Sequence, residues 1–240
     1  MCGRYATTQT SASLHQAFEI DLANSFVELE ADYNMAPTKL APVVIGRPGD
    51  NSSRPQRELL IAKWGLVPSW AKDPSIGNRL INARSETISE KPAFKKAFAK
   101  RRALVPADGY FEWYAGQPRE GEKKPLKQPF YITPKDGSVL AMAGLYEFWK
   151  GSAADDWLVT FTILTTTAAD DLGHVHERMP MSLEPDAFDA WLDPAPRPAD
   201  ELLGLLVPAA PGRLEAFAVS TAVNNVRHNG PELIVPLPPE

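Results

Sequence analysis

Twenty-three prolines in 240 residues constrain this chain more than any other feature. Proline fixes φ, donates no backbone hydrogen bond, and interrupts helix interiors and the centres of sheets. At roughly twice the ordinary share of ~5%, it favours many short elements joined by ordered loops. The apolar patterning between the prolines agrees. Residues 11–20 read as a short amphipathic helix with Leu14, Ala17 and Phe18 on one side. Residues 91–100 read as a second, with Pro92 near its first turn and Phe94, Ala97 and Phe98 inward. Segments 41–46 and 58–65 read as strands around a polar turn at 47–56. Residues 102–114 read as two strand segments broken at 106–109, and 128–134, 138–150 and 157–166 continue a strand-rich middle. Helices at 184–192 and 199–207 and a strand at 214–220 close the chain. Strands dominate without βαβ alternation. This predicts an α+β fold, mainly antiparallel, with a barrel-like β core flanked by short helices, in one domain over residues 1–240.

The single cysteine, Cys2, excludes an intrachain disulfide and any multi-cysteine zinc site. No metal and no cofactor is predicted. The N-terminus has neither the basic start nor the apolar run of a secretory signal, and no stretch approaches the ~20 apolar residues of a membrane span. The expectation is a cytoplasmic protein, nucleoid-associated when on DNA, monomeric and without a membrane partner. The net charge of −5 argues mildly against nucleic acid. It hides an asymmetry, however: residues 79–102 hold eight basic side chains against Glu86 and Glu90. Such a stretch is either a solvated helix face or a local phosphate-neutralising surface.

Cys2 has a second peculiarity. Removal of Met1 would leave it with a free α-amine beside its thiol. The amine has a reference pKa of roughly 7.7–8.0 and the thiol about 8.5. Two nucleophiles on one residue suit attack on an aldehyde, the amine forming an imine and the thiol closing a five-membered thiazolidine on the same carbon. Gly3 leaves room beside them. Four further stretches carry candidate chemistry, each with a plainer structural alternative. In LINARSETI, Asn82, Arg84 and Glu86 alternate, so an extended chain projects all three from one face; a solvated edge strand would look the same. ADGYFEWY sets Glu112 among aromatics, where burial would raise its pKa toward the range useful for proton transfer, unless it faces water. GHVHERMPM offers two histidines, His174 and His176. His-x-His could ligate a metal, though no HExxH pattern or second ligand cluster supports it. One of the two could be a neutral-pH acid or base, and a capping or core histidine would look the same. YNMAPT and KWGLVPSW supply loops with Asn34, Pro37, Trp64, Pro68 and Trp70, whose aromatics and prolines either meet bases or belong to the core.

Taken in order, MCGR, YNMAPT, WGLVPSW, NARSET, GYFEW, AGLYE and HERMP resemble the SOS response-associated peptidase (SRAP) family over residues 2 to about 181. TAVNNVRHNGPE is similar to that family's closing segment. The resemblance implies an abasic-site sensor that crosslinks covalently to abasic sites in single-stranded DNA and removes its own initiator methionine. By it, Cys2 is the nucleophile, Asn82 positions the Cys2 amine, Glu112 handles protons, and His176 assists sugar-ring opening or proton transfer. Arg84 and Arg178 contact phosphates, Arg4 lies close to the crosslink, and Asn34 counts among the DNA-binding residues. Pro37, Trp64 and Met179 stack on or wedge between bases. A non-covalent reader of modified or single-stranded DNA is the alternative. N-terminal-nucleophile glutamine amidotransferases also begin Met-Cys-Gly, but here Arg4 follows, and the only Asn-Gly pair is Asn229-Gly230, near the C-terminus.

Overall fold

The computed structural model describes residues 2–21, 28–49, 54–116, 127–151, 156–168, 172 and 174–238. Met1 and the centre of the polar turn expected at 47–56 lie outside them. Prolines shape the architecture as anticipated, with one difference. The helices are short: α1 (Ser11–Ala17), α2 (Lys95–Lys100), α3 (Phe188–Leu192) and α4 (Ala199–Gly204). Thr10 caps α1 by accepting from the Ser13 N–H at 3.1 Å, and Glu19, at φ 46°, turns the chain away after it. Ala17, expected on the inward side, is exposed, while Leu14 and Phe18 are buried. Prolines also lie inside strands. In β3 (Leu40–Arg47), Pro42 sits before the ladder to β6 (Arg102–Ala107), which pairs only at Val44 and Ile45. In β6, Pro106 lies past that same ladder. A missing N–H costs nothing where no rung is to be made, so the expected break at 106–109 contracts to Asp108 alone.

Two sheets form. One has the order β12 (Leu214–Ala218), β8 (Lys127–Pro134), β7 (Gly109–Ala115), β1 (Tyr5–Thr7), β2 (Asp32–Met35). The other runs β11 (Arg178–Pro180), β10 (Leu158–Thr167), β4 (Gln56–Trp64), β3, β6, β9 (Leu140–Trp149). In the second, β9 also pairs with β10, so the sheet curls round on itself. It is barrel-like rather than a true closed barrel: the β4–β10 seam is only two residue pairs long. Pairing is antiparallel except at this seam and where β5 (Asn82–Arg84) lies parallel to β10. Gly65, at φ +123°, ends β4, and its backbone meets Gly77 so closely that a Cβ on Gly65 would stand 2.6 Å from the Gly77 carbonyl oxygen. That contact fixes the start of the WGLVPSW loop.

Among the described residues the core falls into three apolar clusters. One packs the helices on the outside of the curled sheet. The second fills the space between the sheets and includes Cys2, Tyr5, Trp64, Tyr110, Phe161 and Met179. The third seats the C-terminal segment against Phe111 and Tyr131. Among the described residues, no helix is long and apolar enough to cross a membrane.

Candidate active site

Strand alternation builds the site. Along β7, Tyr110 joins the cluster that holds Cys2, whereas Phe111 packs on the opposite side against Tyr131. Glu112 has the parity of Tyr110 and so lies on the Cys2 side. β1 runs antiparallel to β7 with Tyr5 opposite Tyr110, which brings the chain start alongside. From the other sheet, β5 presents Asn82, whose Nδ2 donates to the Cys2 carbonyl oxygen at 2.7 Å. Cys2 itself is 0% exposed, and its Sγ lies 3.8 Å from the Arg4 carbonyl oxygen as a weak donor. Burial pushes the thiol pKa well up, and the Glu112 charge adds to that rise. The thiol is thus held protonated at neutral pH. Burial also raises Glu112, to about 7, against the opposing positive charge of the chain terminus. A carboxyl at that value exchanges its proton near neutrality.

His176 follows β10 and precedes β11. Its Nδ1 accepts from the Arg178 N–H at 2.9 Å, so the neutral ring carries its proton on Nε2. Desolvation, then the positive chain terminus, lower its pKa and favour that neutral form. Glu112 and His176 line one open pocket of about 560 Å³ with Trp113, Lys127 and Asn224. The structure therefore brings Cys2, Asn82, Glu112 and His176 to one place from four separate segments. Lys127 and Asn224 were missed in the sequence. Lys127 begins a strand with no motif around it. Asn224 lies within TAVNN, and its paired asparagines were the only signal.

The residues expected to meet DNA divide. Arg84 is exposed and Pro37 half-buried. Trp64 is 0% exposed: it donates to the Ile81 carbonyl at 2.8 Å and packs on Tyr5 and Phe161. Met179 is in the same core. Neither offers a face to a base, because apolar burial between the sheets takes both. Asn34 is equally interior, its amide donating to the Val223, Asn225 and His228 carbonyls and its oxygen accepting from Arg4. Arg4 lies near the site, but its guanidinium binds Asn34 at 2.6 Å and the Val223 carbonyl at 2.8 Å, with its carbon 5.8 Å from the Trp113 ring centre. Arg178 forms a two-pronged pair with Glu86 at 2.6 and 3.0 Å. Of the basic stretch, Arg79, Arg84, Lys91, Lys95, Lys96 and Lys100 are exposed, and Arg101 pairs with Glu147. Arg102 is buried, donating to the Phe98, Trp191 and Asp193 carbonyls at the ends of α2 and α3. There it satisfies helix C-terminal carbonyls.

Fold and site together define a mixed α+β protein with a buried thiol at its second residue, its backbone held by an amide and a near-neutral carboxyl beside it. The profile of the SOS response associated peptidase (SRAP) family matches residues 1–226, and the chain belongs to that family. It is 37% identical over 234 residues to the abasic site processing protein YoqW of Bacillus subtilis, covering 98% of this chain and 99% of that one. To the abasic site processing protein HMCES of Gallus gallus it is 33% identical, covering 99% of this chain and 78% of the other. A crystal structure of a protein from Bacteroides thetaiotaomicron shares the fold with a TM-score of 0.79 at 25% identity, covering 98% of this chain and all of that one.

Proposed function

We propose that this protein processes abasic sites in single-stranded DNA by joining itself covalently to them through Cys2. The observation that carries the proposal is the Cys2 backbone held at 2.7 Å by Asn82 beside a carboxyl raised to about 7. The names of its relatives supply the substrate class.

Once Met1 is hydrolysed away, the α-amine belongs to Cys2. That amine, not the buried protonated thiol, is the group ready to attack first. It adds to the aldehyde of the open deoxyribose, and loss of one water gives the imine. The thiol then adds to the imine carbon while its proton passes to nitrogen, closing a thiazolidine. Removing the imine suppresses β-elimination, so the strand stays intact. Glu112 serves as the acid and base for water loss and for Met1 hydrolysis. His176, neutral with Nε2–H, assists opening of the sugar ring. Asn82 fixes where the amine stands. Arg84 and the exposed basic side chains attract phosphates without regard to sequence.

Intact-mass spectrometry tests this, before and after incubation with a single-stranded oligonucleotide carrying one abasic site. Loss of one methionine, then an oligonucleotide-sized gain that survives denaturation, is expected; Cys2→Ala should lose that gain. An undiminished adduct in Cys2→Ala would remove Cys2 from the chemistry. Equal binding of damaged and undamaged strands with no stable adduct would make the protein a non-covalent reader instead.

A further inference from the structure

Of the three polar side chains that alternate in LINARSETI, the chemistry above uses two; the strand expected to carry all three ends at Arg84, and the chain turns into a short 3-10 helix over Ser85–Thr87. The third, Glu86, stands opposite Arg178. Its oxygens accept from Nη1 at 2.6 Å and Nη2 at 3.0 Å, a fork-to-fork pair. On its protein side the guanidinium is fixed separately: Nη2 donates to the Thr165 carbonyl at 2.6 Å, and Nη1 lies 3.5 Å from the Thr167 hydroxyl. The Arg178 side chain is only 10% exposed, whereas that of Glu86 is 46% exposed. The solvent-facing edge of the guanidinium is thus the edge the carboxylate covers. Hydrogen bonds from Arg178 hold the Glu86 carboxyl below its ordinary pKa, so it stays ionised at neutral pH.

We infer that Glu86 is an internal stand-in for a DNA phosphate, occupying the fork of Arg178 and yielding it when a strand binds. A carboxylate and a phosphate present the same paired acceptors to a guanidinium, so one replaces the other without moving Arg178. The inference rests on the reading of this protein as a single-strand binder. Its consequence is selectivity. A strand must displace Glu86 to gain the Arg178 contact, so contact with ordinary DNA is weakened, and a covalent bond at a lesion makes the exchange lasting. Arg84, two residues earlier and exposed, remains available for first encounter.

The test measures binding of an undamaged single-stranded oligonucleotide by fluorescence anisotropy across a salt series, with melting temperatures to establish that each variant folds. Glu86→Gln keeps the shape and one acceptor but removes the charge. It should tighten binding about 3- to 10-fold at low salt, with the gain shrinking as salt screens it. Arg178→Lys keeps the charge but removes the fork, and in that background most of the Glu86→Gln gain should vanish. Weaker binding by Glu86→Gln, or an equal gain in both backgrounds, would overturn the inference: Glu86 would be a scaffold for Arg178 in the first case and a general repulsive charge in the second. Adduct formation on an abasic oligonucleotide, run with the same proteins, separates the two levels. Normal adducts without the Glu86→Gln gain sink the exchange alone. The gain without adducts sinks the covalent reading alone. A wild-type protein that neither binds single strands nor forms adducts sinks both.

Discussion

A carboxylate enclosed between Cys2 and the aromatic side chains of β7 loses hydration that the protein restores only in part, so Glu112 rises from 4.5 to about 7. The sign of its effect on stability follows. The folded chain holds this proton more tightly than the unfolded chain, so the contribution is complete below about 4.5 and is lost as pH rises through about 7. Glu112→Gln should flatten the decline in melting temperature across that window, and it should also slow adduct formation. An unchanged pH profile of stability would mean that Glu112 titrates as an ordinary surface acid. Two other side chains beside Cys2 invite a test. The hydroxyls of Tyr5 and Tyr110 are buried without a hydrogen-bond partner among the described residues. Such an orphan costs about 1–3 kcal/mol. Tyr5→Phe keeps the edge-on contact with Trp64, 5.1 Å between ring centres, and should melt at or above the wild-type temperature. A fall of several degrees would show that the Tyr5 hydroxyl is bound in solution.

Helix α3 and strand β3 depend on backbone contact rather than side-chain volume. A Cβ at Gly46 would stand 2.1 Å from the Leu192 carbonyl oxygen, a position no rotamer relieves. Gly46→Ala should cost about 2 kcal/mol or more, lowering the melting temperature by roughly 4–8 °C. An unchanged melting temperature would mean that α3 docks loosely. This contact shows why elements were legible in the sequence and their arrangement was not. Apolar periodicity marks β3, β4, β9 and β10, because each strand's pattern is local. The parallel pairing of β5 with β10 joins residues about eighty positions apart, and nothing local records it. The site divides the same way. Glu112 and Asn82 stand out by their neighbours, but whether Trp64 or Met179 faces a base depends on which sheet covers them. Arg102 reads as one more surface charge in a basic run. Only the arrival of α3 turns it into a buried cap.

Across the whole molecule, the two ends of the chain meet through one amide. Asn34 accepts from Arg4 and donates to the carbonyls of Val223, Asn225 and His228. Arg4 also reaches the Val223 carbonyl, and Trp113 donates to Asn224 at 2.7 Å. The segment carrying Asn224, one wall of the pocket, is thereby fastened two residues from Cys2. Closing contacts between residues so distant in sequence carries a large entropic cost before they contribute stability, so they should act together. Asn34→Ala removes the charge-assisted bond from Arg4 and leaves the Asn225 and His228 carbonyls to find water, while the Val223 carbonyl keeps Arg4, at a cost on the order of 3 kcal/mol. Arg227 is exposed in this segment, which makes trypsin a local probe. Cleavage after Arg227 should accelerate in Asn34→Ala at temperatures where the sheets remain folded, and adduct formation should slow with it, because Arg4 and Asn224 lose their common anchor. Cleavage as slow as in the wild type would assign the anchoring to Val223 and Leu233, which pack in the third core cluster, and would separate the C-terminal segment from the placement of the nucleophile.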